Sequence, residues 1–156
     1  SLLKDLYLEY NLPIIVSTHP RTRKKLEGKS ILSDKFIKFM KPFGFLDYIK
    51  LQKNAFCVLS DSGTITEESS ILNFPALNLR EMHERPEGTE ESPLILVGLN
   101  KDRVMSSLEI LKDQDRGEKR NISIVKEYNV DNVSSKIVRI IESYTDYVNK
   151  VVWKKY

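Results

Sequence analysis

The sequence is short of the residues that build disulfides and metal sites. It has a single cysteine, Cys57, and only two histidines, His19 and His83. One cysteine cannot close an internal disulfide, and no Cys or His pair has ligand spacing, so we expect no metal site. Cys57 falls in an apolar run, 55–59, where a thiol behaves as a small hydrophobic side chain rather than as a nucleophile.

Long hydrophobic runs and a strong net charge are also missing. No segment approaches the roughly 18 apolar residues of a membrane span, and no signal-peptide pattern precedes the first strand-like run. The 25 basic and 22 acidic residues leave a net charge of +3, which is too small to indicate a nucleic-acid partner. A denser basic run, 21–25, either steers an anionic ligand or forms a solvated helix face. We expect a soluble, cytoplasmic protein with no nucleic-acid or membrane partner.

Short apolar runs alternate with helical patterns along the chain. The apolar runs are 14–16, 36–40, 57–59, 76–79 and 94–97. The helical patterns are 2–10, 20–27, 45–53, 64–73, 86–91, 101–112 and 131–150. With right-handed crossovers, this alternation predicts an α/β fold, a Rossmann-like parallel sheet with helices on both faces. Because the chain can bury one substantial core, we expect a single domain over residues 1–156.

The most informative motif is the run 60–68, Ser-Asp-Ser-Gly-Thr-Ile-Thr-Glu-Glu, between a strand-like run and a helical pattern. Ser62 and Gly63 form the turn, and Thr64 with Glu67 matches the S/T-x-x-E capping box. Unpaired N–H groups and the dipole at a helix N-terminus attract phosphate, and glycine lets the backbone come close. The motif predicts an anion site, although ordinary helix capping explains the Ser-Gly pair equally well.

Two charged side chains are candidates for the same site. Glu68 falls about one turn inside the helix, where a carboxylate can accept hydrogen bonds from both hydroxyls of a ribose. Its alternative is a solvated carboxylate near the favourable end of the dipole. Arg85 follows the next strand-like run, whose end should open onto the same crevice. Its guanidinium matches phosphate oxygens, but it can equally pair with Glu81 or Glu84 on the surface.

The order and spacing of these motifs resemble those of a known family. The residues that carry the resemblance are 60–63, 67–68, Pro75, Arg80 and 84–87. Over about residues 19–98 the chain resembles the second half of the non-hydrolysing UDP-N-acetylglucosamine 2-epimerases. Thr64 replaces the second glycine of the commoner motif. With segments 71–78 and 83–88, this variant is similar to the branch that forms UDP-N-acetyl-L-fucosamine for surface polysaccharides such as capsule and O-antigen.

The resemblance implies the second domain of a two-domain, GT-B-like enzyme and a UDP site within it. The diphosphate would lie against the turn at 62–64, Glu68 would take the ribose hydroxyls, and Arg85 would face the cleft. The loop 42–48 would receive uracil through the backbone of Phe43 and the ring of Tyr48. The implied UDP-binding residues are Phe43, Tyr48, Ser62, Gly63, Thr64, Glu68 and Arg85.

Neighbouring residues are assigned to packing. Phe45, Leu46 and Ile49 have helical spacing and are expected to be buried side chains rather than ligand contacts. His19 matches a His-Pro pair of the family, and its expected role is a structural hydrogen bond.

The resemblance also implies a reaction for the full-length enzyme. The C2 proton of a UDP-2-acetamido sugar is removed, UDP is eliminated and then added back with C2 inverted, and no redox cofactor is needed. The acid and base belong to the family's first domain, so we expect no catalytic residue in this chain and no turnover by it alone. The alternatives are the nucleotide-sugar domain of a GT-B glycosyltransferase and a stand-alone UDP-sugar sensor.

The C-terminal part ends in an amphipathic pattern. Its apolar positions are three or four residues apart and comprise Val133, Ile137, Ile140, Ile141, Tyr144 and Val148. In enzymes of this shape the terminal helix, about 131–150, crosses back to the missing N-terminal domain. We therefore expect part of this apolar stripe to be exposed here and to favour self-association, and the full-length enzyme to be a homo-oligomer. The polar segment 112–121 is expected to be an exposed loop.

Overall fold

A computed structural model describes residues 2–26, 35–82 and 85–155. The helices are α1 (Leu2–Tyr10), α2 (Pro20–Leu26), α3 (Phe45–Asn54), α4 (Ile65–Leu72), α5 (Gly88–Glu91), α6 (Lys101–Leu111) and α7 (Val133–Tyr147). The strands are β1 (Ile14–Ser17), β2 (Ile37–Met40), β3 (Val58–Ser60), β4 (Ala76–Asn78) and β5 (Leu94–Leu96). A 3₁₀ turn (Lys126–Tyr128) precedes α7, and a π-helical turn (Val148–Val152) follows it.

All strand pairs are parallel, and the described strands form two sheets. β1 pairs with β2, with Ile14 opposite Ile37. The other sheet has the order β3-β4-β5, in which Leu77 lies between Leu59 and Ile95. The alternation of strand and helix therefore predicted the α/β class correctly, although the expected single sheet is divided between β1–β2 and β3–β5 in the part of the chain described.

The three-stranded sheet is covered on both faces. Successive side chains of β4 point in opposite directions, so neighbouring residues pack into different clusters. Leu77 packs into a cluster with Leu6 of α1 and with residues of α6. Its neighbour Ala76 packs on the other face with Ile65 of α4 and Phe74. The α6 residues of the first cluster are Val104, Leu108 and Leu111. Each fully buried side chain of this kind contributes about 1.5–3 kcal/mol to stability.

Cys57 lies one residue before β3 and is half-buried against the cluster that contains Leu77. Burial raises the pKa of its thiol to about 12, so the thiol is protonated at neutral pH. The expectation that Cys57 packs rather than reacts agrees with this environment.

The polar segment 112–121 is mostly exposed, as expected, but two of its arginines reach the ends of helices. Arg116 donates from Nη1 to the Ala55 carbonyl (2.6 Å) and from Nη2 to the Phe56 carbonyl (2.7 Å), just after α3. Arg120 donates to the carbonyls of Ser70 (2.8 Å) and Ile71 (2.6 Å), in the last turn of α4. The C-terminal carbonyls of a helix lack intrahelical donors, so Arg120 caps α4, while Arg116 holds the backbone just after α3. This segment is called the strap below.

Asn73 attaches the strap to α4 directly. It is the C-cap of α4 with φ 52°, a left-handed conformation that asparagine tolerates. Its side-chain amide donates to the carbonyls of Gly117 and Lys119, and its own carbonyl accepts from the Gly117 N–H (2.9 Å).

The last helix makes little contact with the rest of the described chain, and no residue of α7 is buried. Five of the six predicted apolar positions are 49–58% exposed, namely Val133, Ile137, Ile140, Ile141 and Tyr144. That this helix crosses to another domain stays a prediction. Among the described residues, no helix is both long enough and apolar enough to cross a bilayer.

Candidate functional site

The predicted anion site lies where β3 ends and α4 begins. The Ser62 N–H donates to Ser60 Oγ (3.1 Å), which closes the turn after the strand. The Thr66 N–H donates to the Gly63 carbonyl (3.3 Å), and the Glu68 N–H donates to the Thr64 carbonyl (2.9 Å). The turn therefore leads directly into the helix, whose first N–H groups point back toward the loop.

The predicted capping box is wrong. A capping residue needs an extended backbone, whereas Thr64 is already helical, with φ −65° and ψ −17°, and makes no side-chain cap bond. Its hydroxyl lies 2.9 Å from Ser62 Oγ, and the Glu67 carboxylate bonds Arg85. The Thr64 side chain therefore does not occupy the first N–H groups of α4, which favours an anion there over self-capping.

Arg85 lies against α4. Its Nε donates to Glu67 Oε1 at 2.6 Å, and the two side chains are 36% and 35% exposed. This bond raises the pKa of the guanidinium. This partner, Glu67, differs from Glu81 and Glu84, which were considered from the sequence, and Glu84, like His83, lies outside the described residues. The bond uses Nε, so the two NH₂ groups of the fork are the ones suited to phosphate oxygens.

The segment after Arg85 is held against α4 by close packing and a second carboxylate. A Cβ at Gly88 would collide with Thr66 Cγ2, so only glycine lets α5 lie this close to α4. Tyr128 Oη donates to Glu87 Oε1 (2.9 Å). The Glu87 backbone N–H and the Tyr128 hydroxyl hold the pKa of the Glu87 carboxyl below its usual range.

The candidate uracil and ribose residues meet between α3 and α4. Gln52, which is 2% exposed, donates from Nε2 to Glu68 Oε2 at 2.5 Å. Tyr48 lies one turn earlier on α3 and is half-buried, and burial and the nearby Glu68 charge raise its pKa. The two candidates that sequence reasoning placed on separate segments therefore share one polar group, with Gln52 between them.

The start of α3 differs from expectation. Phe43 is half-buried just before Gly44, the N-cap of α3. Phe45 and Leu46 were expected to be buried, but they are 76% and 80% exposed. They occupy the first turn of α3, whereas the buried position of that helix is Gln52, two turns later.

The His-Pro pair lies at the end of β1 near the start of α2. His19 is exposed and its Nδ1 accepts from the Arg21 N–H at 3.3 Å, a structural hydrogen bond as expected. The basic residues of α2 are also exposed, as in a solvated helix face.

A separate cavity of about 370 Å³ opens beyond the carboxyl ends of β4 and β5. Its wall includes Arg80, Glu81, Gly98, Asn100 and Arg103, and none of the seven candidate residues lines it. Asn100 is the N-cap of α6 and accepts from the Arg103 N–H (3.0 Å).

Comparison with known proteins decides the family. The sequence profile of the UDP-N-acetylglucosamine 2-epimerases matches residues 1–142 of the chain. The chain belongs to this family. Its epimerase relatives include the UDP-N-acetylglucosamine 2-epimerase of Methanocaldococcus jannaschii, which is 41% identical over 114 residues. The match covers 70% of this chain and 31% of that protein, so the chain spans about a third of its relative.

Solved epimerase structures confirm the predicted fold class. The UDP-N-acetylglucosamine 2-epimerase from Rickettsia bellii matches 97% of this chain, which covers 42% of that protein, with a TM-score of 0.85 and 51% identity. The M. jannaschii epimerase in complex with UDP-GlcNAc and UDP matches 91% of the chain, which covers 39% of that protein, with a TM-score of 0.78 and 36% identity.

Sequence reasoning missed several residues that support the candidate site of this epimerase chain. They are Gln52, Glu67 as the partner of Arg85, Glu87, Arg116, Arg120 and Tyr128. One signal was available for Gln52, because an amide stands in an otherwise apolar helical face four residues after Tyr48. The others act over separations of 18 to 61 residues, which no local pattern reveals.

Proposed function

We propose that this chain is the UDP-binding, C-terminal domain of a UDP-sugar 2-epimerase. The observation that carries the proposal is the polar group formed by Tyr48, Gln52 and Glu68 beside the N-terminus of α4. This arrangement offers a ring, a carboxylate and helix N–H groups to one ligand. Family membership, and a similar epimerase structure that holds UDP-GlcNAc and UDP, support the same reading.

The diphosphate lies at the start of α4. Ser62 lies against it in the turn that its N–H closes on Ser60 Oγ, and the N–H groups of Gly63 and Thr64 and the positive end of the helix dipole face its oxygens. Arg85, held by Glu67, adds the NH₂ groups of its guanidinium.

The nucleoside lies between α3 and α4. Glu68 accepts from the two ribose hydroxyls, which a carboxylate can do while one of its oxygens is bonded to Gln52. Uracil meets the backbone of Phe43 and the ring of Tyr48, both half-buried at the start of α3.

These residues act on the leaving group in the proposed reaction. Removal of the C2 proton is followed by cleavage of the bond between C1 and the UDP oxygen, so negative charge grows on the diphosphate. Donors already aimed at that oxygen stabilise the departing UDP and keep it in place for re-addition. The group that moves the proton comes from outside this chain, so we expect the chain alone to be inactive.

The finer proposal is that the full-length enzyme acts in the synthesis of UDP-N-acetyl-L-fucosamine for capsule or O-antigen. It rests on the Gly63-Thr64 pair in place of a double glycine and on segments 71–78 and 83–88. Incubating the full-length enzyme with UDP-GlcNAc and with its 6-deoxy L-sugar counterparts, followed by NMR of C2, tests it. Inversion of UDP-GlcNAc alone would reject this branch.

Calorimetric titration of UDP into the full-length enzyme tests the site. Glu68→Ala should weaken binding by about 1 to 3 kcal/mol, the loss of hydrogen bonds to a charged group. Glu109→Ala, which removes a carboxylate on α6 that bonds Tyr10, is the matched control and should bind UDP as the wild type does. Equal affinities for the Glu68→Ala enzyme and the wild type would remove the ribose assignment.

The glycosyltransferase alternative has only the shared layout to support it, because the matching profile and relatives are epimerases. The cytoplasmic location and the homo-oligomeric state stay predictions.

A further inference from the structure

Gln52 is the one buried residue of α3 in the described chain, and it is a polar one. Burying an amide is unfavourable unless its hydrogen bonds are replaced. A packing position of this kind is normally filled by leucine or methionine. The residue therefore needs an explanation beyond packing.

The Nε2 group of Gln52 bonds Glu68 Oε2, and the charge of the carboxylate fixes the orientation of the amide. If the amide were turned over, Oε1 would face a carboxylate oxygen and the two would repel. In the observed orientation Oε1 is buried and has no hydrogen-bond partner among the described residues. Gln52 thus leaves one acceptor unsatisfied while it donates to Glu68.

The bond restricts the carboxylate. A free glutamate side chain explores many rotamers, and one anchored oxygen removes most of them. The carboxylate has about four acceptor positions, of which Gln52 takes one, so both hydroxyls of a vicinal diol can still be accepted. The bond thus orients the carboxylate without filling it.

The two helices joined by this bond are also held at their C-terminal ends. Arg116 of the strap bonds the Ala55 and Phe56 carbonyls just after α3, and Arg120 caps the end of α4. The donor and the acceptor are therefore both carried on supported elements, which is what precise placement of a ligand-binding side chain requires.

We propose that Gln52 is a positioning residue that orients the Glu68 carboxylate toward the ribose diol of UDP, and so sets the preference for nucleotides that carry both hydroxyls. This inference rests on the proposed UDP site. Gln52 itself does not touch the nucleotide.

The test compares two ligands, UDP and 2′,3′-dideoxy-UDP, by calorimetry with the full-length enzyme. Gln52→Met removes the amide and keeps the side-chain volume. It should weaken UDP binding about tenfold, the loss associated with one hydrogen bond to a charged group, and change binding of the dideoxy ligand less than twofold. A general structural defect would weaken both ligands equally, and that result would overturn the inference.

Two variants serve as controls. Ser107→Ala changes another buried polar residue, on α6, and should leave the ratio of the two affinities unchanged. Gln52→Asn keeps an amide but draws it back by one methylene, and it should lower the ratio as Gln52→Met does. It also covers the case in which the methionine variant does not fold.

Glu68→Gln separates this inference from the proposed function. If that variant keeps the wild-type ratio, the ribose role of Glu68 fails and the inference fails with it. Another outcome is that Glu68→Gln lowers the ratio of UDP affinity to dideoxy-UDP affinity while both Gln52 variants keep the wild-type ratio. In that case the UDP site stands and only the positioning role of Gln52 is refuted.

Discussion

Helices α4 and α7 both carry apolar residues at helical spacing, yet they end in opposite environments. In α4, Ile65 is buried against the sheet, and the strap holds the helix end. In α7 no residue is buried, and the apolar stripe faces outward. Apolar periodicity therefore predicts which face of a helix seeks burial, but it does not say whether the same chain supplies the partner. The proposed nucleotide site is built on α4, the helix that packs against the described sheet.

The most direct test of this difference removes one large side chain from α4 and one from α7. Ile65→Ala should lower the free energy of unfolding by about 2 to 5 kcal/mol, because Ile65 of α4 is fully buried. Ile141→Ala should change it by less than about 0.5 kcal/mol, because Ile141 is more than half exposed. Urea denaturation of both variants measures the difference.

The same pair tests where α7 belongs. If α7 packs against another domain in the full-length enzyme, Ile141→Ala should destabilise that enzyme clearly more than it destabilises the 156-residue chain. Equal small effects in both proteins would argue against the predicted crossing.

The strap should have an intermediate effect. Arg116→Met removes two donors from the Ala55 and Phe56 carbonyls and should cost about 1 to 3 kcal/mol of stability. Arg103→Met, an exposed arginine on α6, is the control and should change stability by less than about 0.5 kcal/mol. Equal urea midpoints for the Arg116→Met and Arg103→Met variants would show that the Arg116 hydrogen bonds do not stabilise the chain.

Arg85 should matter more for the ligand than for the fold. Its pairing with Glu67 is partly solvated, so Arg85→Ala should leave the thermal midpoint close to that of the wild type. UDP affinity of the full-length enzyme should fall about tenfold or more, since a charge-assisted contact to phosphate is lost. Adding salt should reduce the difference in UDP affinity between the variant and the wild type. An Arg85→Ala enzyme with the UDP affinity of the wild type would show that Arg85 does not bind UDP.

The smallest effect is expected on the exposed stripe itself. Ile137→Lys should change the stability of the monomer little, because half of the Ile137 side chain is already exposed. It should abolish the concentration-dependent self-association that we expect of the exposed stripe. Size-exclusion chromatography at several concentrations measures this, and a monomeric wild type at high concentration would contradict the expectation.

The sequence predicted most elements to within one or two residues, because the apolar runs and the helical patterns are short and well separated. It also predicted that Ser62 and Arg85 lie in loops after strand ends and that Glu68 lies near the start of the following helix. It failed at Thr64 and Phe45, where local patterns suggested a capping box and a buried face. Both errors lie in the first turn of a helix, where the backbone and the neighbouring elements, rather than periodicity, decide what a side chain meets.

The supports of the site could not be predicted for a different reason. Gln52 meets Glu68 across 16 residues, and Arg116 meets Ala55 across 61. Such pairs depend on how helices are placed in space, which spacing along one chain does not encode.

The strap also has a consequence for the order in which the chain is made. A ribosome adds about 5 to 20 residues per second, so roughly 50 residues between the end of α4 and Arg120 take about 2 to 10 s to appear. During that interval the last carbonyls of α4 are exposed without their guanidinium donors. In a nascent chain halted before the strap, the two helices of the proposed nucleotide site should therefore not yet be fixed, and ligand binding during synthesis should begin only after Arg120 emerges.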